Sequence, residues 1–213
     1  RIDAFLKANL FEPLGMNDTD VEVRAHMQPR LASVKARGEN GQFGDFPLAP
    51  PSNPEVYGMG HCLYSTPQDY MRFLRMFLNR GKLDGKRIMK QASVDRMLVN
   101  HMGPLKFEKM ISAAPPITAD VDMFPGTTKT HSFGFMRNEV DIPGGRRAGS
   151  QSWAGVLNTH YWFDMKSNLA GIIMTQTLPF VEPPLVAAYE EFEKAARSEE
   201  HTSELQSQST ISY

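Results

Sequence analysis

The stretch THYWFDMKSNLAGIIMTQ, residues Thr159–Gln176, decides the fold class. Thr159–Asp164 and Leu169–Gln176 are rich in aromatic and β-branched residues, and Met165-Lys-Ser-Asn168 between them has the composition of a hairpin connection. The pair predicts antiparallel strands. Working outward, Phe133–Asn138 reads as a further short strand. Downstream, Pro183–Ala196 opens on prolines and brings Leu185, Ala188, Tyr189 and Phe192 to one side, as expected of an amphipathic helix that covers the sheet.

Upstream, three signals agree on a helix start at Thr66: a hydroxyl that can cap, Pro67 at the first helical position and Asp69 in the first turn. Tyr70, Phe73, Leu74, Phe77 and Leu78 then form one apolar face, with Arg72, Arg75 and Arg80 largely off it, and Gly81 supplies the stop. A second helix is expected over Ser93–Asn100 with Val94, Met97 and Leu98 inward, reached through the turn Leu83-Asp-Gly-Lys86. The proline- and glycine-bearing stretch after Gly103 predicts a long loop that is either a wall around a site or a mobile cover. A helical region plus an antiparallel sheet backed by a terminal helix places the chain in the α/β (α+β) class.

Composition narrows the function classes. The 213 residues carry 23 Lys and Arg against 24 Asp and Glu, leaving no basic surplus for a phosphate backbone, so nucleic acid is not an expected partner. Charged residues interrupt every apolar run before eighteen residues, so no membrane span is expected. Cys62 stands alone and can form neither an internal disulfide nor a cysteine-rich metal site. From Arg197 to Tyr213 the chain turns to Ser, Glu and Gln with few large apolar groups, which predicts a disordered tail; Arg197–Ser207 also resembles the translation of a sequencing adapter.

A serine hydrolase places its nucleophile beside a base, and Ser-x-x-Lys on a helix does so because residues three apart share a face. No serine in this chain begins that tetrad, and Gly-x-Ser-x-Gly and Tyr-x-Asn are also missing. The histidines include no pair at metal-binding helical spacing, so no metal is expected. His61 reads as a buried, hydrogen-bonded imidazole before the helix, His160 as a strand-surface residue, and Arg146-Arg147 as a solvated turn. Gly58-Met-Gly60 lacks the third glycine and the preceding strand of a dinucleotide site, so no cofactor is expected. The thirteen methionines read as adaptable core filler. What remains is Gly149–Thr159, where a glycine beside Trp153 either lets a backbone amide face a cleft, as an oxyanion donor must, or marks a bulge.

Four segments carry a family resemblance: Phe11-Glu-Pro-Leu-Gly-Met-Asn-Asp-Thr19, Gly58–Tyr70, Ala148-Gly-Ser-Gln-Ser-Trp-Ala-Gly155, and Met174-Thr-Gln-Thr-Leu-Pro-Phe180. In order and spacing, residues 1–196 resemble the serine beta-lactamase-related superfamily, specifically its family VIII carboxylesterase branch. The resemblance implies a beta-lactamase/transpeptidase-like fold and a Ser-x-x-Lys nucleophile and base. It also implies that Trp153-Ala154-Gly155 stands where beta-lactamases carry Lys-Thr-Gly, with the Val156 amide as an oxyanion donor. On this resemblance the chain is a C-terminal half, its catalytic motifs lie upstream of Arg1, and these residues alone are expected to be inactive. An indole in place of the lysine implies neutral, short-chain esters as substrates rather than carboxylate-bearing beta-lactams. A D,D-peptidase or beta-lactamase and a noncatalytic family member are the alternatives. The half chain is also expected to leave a sheet edge uncovered and to aggregate.

Overall fold

The computed structural model describes residues 1–48, 53–58, 60 and 62–209, with side chains through Glu199. His61, together with Met59, lies outside the described residues. The chain begins with a helical rod made of α1 (Ile2–Leu6), a π-helical stretch (Lys7–Phe11) and α2 (Glu12–Leu14). Gly15 ends it at φ 68°, a left-handed conformation that glycine adopts without strain. Strands β1 (Lys35–Arg37) and β2 (Phe43–Asp45) pair antiparallel.

Helix α3 (Pro67–Leu78) starts where the sequence predicts, with the Thr66 hydroxyl accepting from the Asp69 amide at 3.3 Å. Asp69 has a second task that its sequence position does not reveal. Its carboxylate accepts from the Asp18 amide at 2.7 Å and from the Thr19 hydroxyl at 2.9 Å, tying the segment after Gly15 to the start of α3. Thr66→Ala is expected to lower stability by about 1 kcal/mol, with Thr66→Ser close to the unmodified chain; thermal unfolding of both variants checks this. Beyond α3 the turn Leu83–Lys86 joins β3 (Lys82–Leu83) to β4 (Lys86–Arg87), with Asp84 and Gly85 both at positive φ. Helix α4 (Gln91–Met97) starts two residues before and ends three residues before the expected Ser93–Asn100, because the chain turns toward β5 and the His101 amide bonds the His131 carbonyl.

The central sheet has the order β5-β6-β7-β8-β9 and is antiparallel throughout: β5 (Lys129–His131), β6 (Met136–Asn138), β7 (Gln151–Gly155), β8 (Thr159–Asp164) and β9 (Leu169–Met174). The β8–β9 hairpin forms over Met165–Asn168, with Asp164 accepting from the amides of Lys166 and Ser167. The strand expected over Phe133–Asn138 begins only at Met136. Ser132–Phe135 instead makes the β5–β6 turn, with Gly134 at φ 93°, and Phe133 points out to stack on His101. Strand β10 (Thr177–Leu178) leaves the main sheet and pairs parallel with β1.

Residues alternate across the sheet. Tyr161 and Phe163 face α3, where Phe77 stacks on Phe163 at 5.4 Å and meets Phe135 edge-on at 5.3 Å. His160, Trp162 and Asp164 face helix α5 (Pro183–Ser209). Gly171 lies across from Trp162, and a Cβ there would sit 2.9 Å from the indole, so this position is closed to any side chain.

The inner face of α5 departs from the sequence reading. Tyr189, Glu193 and Arg197 are buried, whereas Ala188 and Phe192 are exposed. The reason is a set of charges from distant segments. Arg146 donates to Glu193 (2.6 Å) and to the Tyr189 hydroxyl (2.9 Å), and Arg197 donates to Glu193 (3.2 Å) and Asp164 (3.1 Å). Trp162 lies beneath both guanidinium groups, 5.5 Å from Arg146 and 4.9 Å from Arg197. Arg146 is therefore a buried residue and not part of a solvated turn. Arg197, where composition places the beginning of a tail, is held in the packed layer, and α5 continues through Ser209.

Candidate active site

Trp153, Ala154 and Gly155 form the second half of β7, and Val156 follows as the first residue of the loop to β8. Strand β6 pairs with β7 at Gln151 and Ser152, so from Trp153 to Gly155 the strand has β8 on one side and, among the described residues, no strand on the other. The structure thus brings all four sequence-predicted residues to one free strand edge. Trp153 is 41% and Val156 48% exposed, and among the described residues the Val156 N–H donates to no protein acceptor. An edge of this kind leaves backbone groups open to a ligand.

Asn158 holds the loop from behind. It is fully buried at φ 61°, and its amide bonds the Gly155 carbonyl at 2.9 Å. Its side chain donates to the carbonyls of Thr177 (2.9 Å) and Pro179 (2.8 Å) and accepts from the Val181 amide (2.7 Å). All these groups would otherwise need partners in a dry environment. The sequence reading passed over Asn158, whose type signals only a turn. It also passed over His131 and Phe107, which meet the Trp153 indole edge-on at 5.2 and 6.3 Å. Phe107 comes from the long loop after Gly103, which does wall this region. That loop is pinned by Lys129, a buried lysine bonded to Asp122 and to the Phe124 carbonyl, both at 3.1 Å.

Behind the edge, on the α5 side of the sheet, lies a cavity of about 140 Å³. Trp153 and Val156 stand at its rim, and Met123, Met136, Val121 and Phe180 form apolar wall; Arg146, His160 and Tyr189 complete it. His160 is a correction to the sequence reading: it is 1% exposed, packed between Phe180 and Tyr189, with Nε2 3.4 Å from Asn158 Oδ1. Alternation along β8 allowed either face, and the structure puts it inward beside Trp162. Burial, reinforced by the nearby positive charge of Arg146, holds its pKa down at about 4, so the imidazole is neutral at pH 7. Tyr189 is pushed up to about 12, mainly by burial, and stays a phenol.

The fold, helices packed on an antiparallel sheet, is that of beta-lactamase-like proteins. The Beta-lactamase family model matches residues 1–196, and the chain belongs to that family. It is 26% identical over 196 residues to the lovastatin esterase of Penicillium rubens, covering 86% of this chain and 47% of that protein. Among solved structures it resembles the LovD6 mutant of simvastatin synthase from Aspergillus terreus, with a TM-score of 0.78, 21% identity, and coverage of 94% of this chain and 50% of the other. It also resembles EstCE1, a hydrolase with promiscuous acyltransferase activity, with a TM-score of 0.61, 14% identity, and coverage of 89% and 50%. The chain spans about half the length of these relatives. Its homologues are esterase- and acyltransferase-like members of the superfamily.

Proposed function

We propose that these residues form the oxyanion side of a serine carboxylesterase of the family VIII branch. In this reading the whole protein acts on small neutral esters through an acyl-enzyme. The nucleophile would come from a Ser-x-x-Lys motif, which the 213 residues do not contain. Its Oγ attacks the ester carbonyl, the alkoxide leaves with a proton, and water then releases the acid. The observation that carries the reading is the Val156 N–H, which has no acceptor among the described residues and lies at a free strand edge beside an exposed indole. Such a donor, fixed in place before the reaction, contributes about 10²- to 10³-fold in kcat when aimed at an oxyanion. The neutral Trp153 at the rim favours an uncharged ester over a carboxylate-bearing lactam.

The test compares two proteins. The 213-residue chain is expected to leave p-nitrophenyl butyrate at the buffer rate, and a longer product of the same gene, carrying Ser-x-x-Lys, to hydrolyse it. Faster cleavage of nitrocefin than of the ester by the longer product would overturn the esterase assignment. A longer product without that motif would favour a noncatalytic member. Acyl transfer to an alcohol is the second reading, favoured by the likeness to simvastatin synthase and EstCE1. With 1-butanol present it gives butyl butyrate in place of butyrate.

A further inference from the structure

We propose that the cavity between the sheet and α5 is a binding site for a small, neutral, largely apolar molecule with one carbonyl acceptor. This goes beyond the esterase reading and does not depend on it, since it requires no nucleophile. The size is right: an apolar cavity of about 150 Å³ in another protein takes up benzene, and this pocket, open at the rim formed by Trp153 and Val156, has a volume of about 140 Å³. Most of its wall is methionine, valine and aromatic side chain.

The polar part of the wall fixes the chemistry of the ligand. Arg146 is 1% exposed, and its Nε and Nη2 are bonded to Glu193 and Tyr189, but its buried Nη1 has no hydrogen-bond partner. The Tyr189 hydroxyl accepts from Arg146 and donates to no acceptor among the described residues. Both residues line one greasy pocket, and buried donors of this kind are rarely left unmade. A carbonyl oxygen has two lone pairs to offer them.

The charge balance decides between a neutral acceptor and an anion. Arg146 and Arg197 are already matched by Glu193 and Asp164, and His160 is neutral at pH 7. A carboxylate entering the cavity would bring an unbalanced charge against a largely apolar wall, whereas a ketone, ester or amide oxygen would not.

Acetophenone, ethylbenzene and benzoate separate these cases, and none of the three is an ester, so the result is independent of any hydrolase activity. Titration of the 213-residue chain is followed by NMR of ¹³C-methyl-labelled methionine, because Met123 and Met136 lie in the wall. Acetophenone is expected to shift both signals saturably and to bind about tenfold or more tighter than ethylbenzene, as one hydrogen bond to a charged donor provides. Benzoate is expected to be the weakest. Arg146→Lys should cut the preference for acetophenone to less than about threefold. Val121→Phe, which fills the cavity and leaves the ion pairs intact, should abolish binding of both neutral ligands. If Arg146→Lys does not fold, the three-ligand series and Val121→Phe decide. Equal binding of acetophenone and ethylbenzene, tighter binding of benzoate, no saturable shift, or shifts confined to methionines outside the wall would each overturn the proposal.

Discussion

Replacing Glu193 by alanine is expected to destabilise the fold by about 3–5 kcal/mol, the range found when one partner of a buried ion pair is removed. Glu193 is 2% exposed and sits between Arg146 and Arg197. Without it, Arg197 keeps Asp164 as its carboxylate partner and Arg146 keeps only the Tyr189 hydroxyl. A loss of that size is a large fraction of the total stability of an ordinary domain. Phe192→Ala is the informative control. The sequence pattern puts Phe192 in the core, where truncation costs about 3–5 kcal/mol; the structure leaves it 40% exposed, so the expected loss is below about 1 kcal/mol. Urea unfolding of both variants measures the two values. A Phe192→Ala effect as large as that of Glu193→Ala would mean that α5 is rotated from the position described.

The second large effect is a pH dependence set by His160. In the folded protein its pKa is about 4, against about 6.5 in the unfolded chain. Below pH 6.5 the unfolded chain takes up a proton that the folded one refuses, so stability falls as pH drops. The loss begins near pH 6.5 and levels off near pH 4, after about 3 kcal/mol. Above pH 7 both states are neutral and this group contributes no slope. The groups around the ring include Arg146, Tyr189, Phe180 and Asn158, none of which is an anion that would balance the added charge. Between pH 7.5 and pH 5 the unmodified chain is expected to lose about 2 kcal/mol more than His160→Phe. Urea midpoints at the two pH values give the comparison. Equal losses would show that His160 titrates normally and is not held neutral by its surroundings.

Where the structure was legible in the sequence, local chemistry carried the signal. Thr66, Pro67 and Asp69 are three independent markers of one helix start, and the aromatic and β-branched residues of Thr159–Asp164 and Leu169–Met174 need no distant partner to favour strands. Strand β5 was missed because Lys129-Thr-His131 has no apolar alternation; its lysine is buried only because Asp122 meets it. Arg146 and His160 were misread for the same reason: polar residues are exposed by default, and the partners that bury Arg146 arrive 43 and 47 residues later on α5. No window of sequence contains that information. At the candidate site, Trp153–Val156 are named through family resemblance, whereas spacing alone favours a bulge or close packing at the glycine. Asn158 and Phe107, which support them, carry no chemistry that the spacing could have flagged.

The anchoring of Asn158 has a consequence for how such a protein can change its preferences. The loop that carries the Val156 amide is fastened by bonds from Asn158 to Thr177, Pro179 and Val181. The side chains of residues 153 and 156, which face outward, take no part in that fastening. Under the esterase reading, mutation at those two positions can retune which molecules are admitted without moving the donor that stabilises the developing charge, so selectivity and catalytic geometry are free to evolve separately.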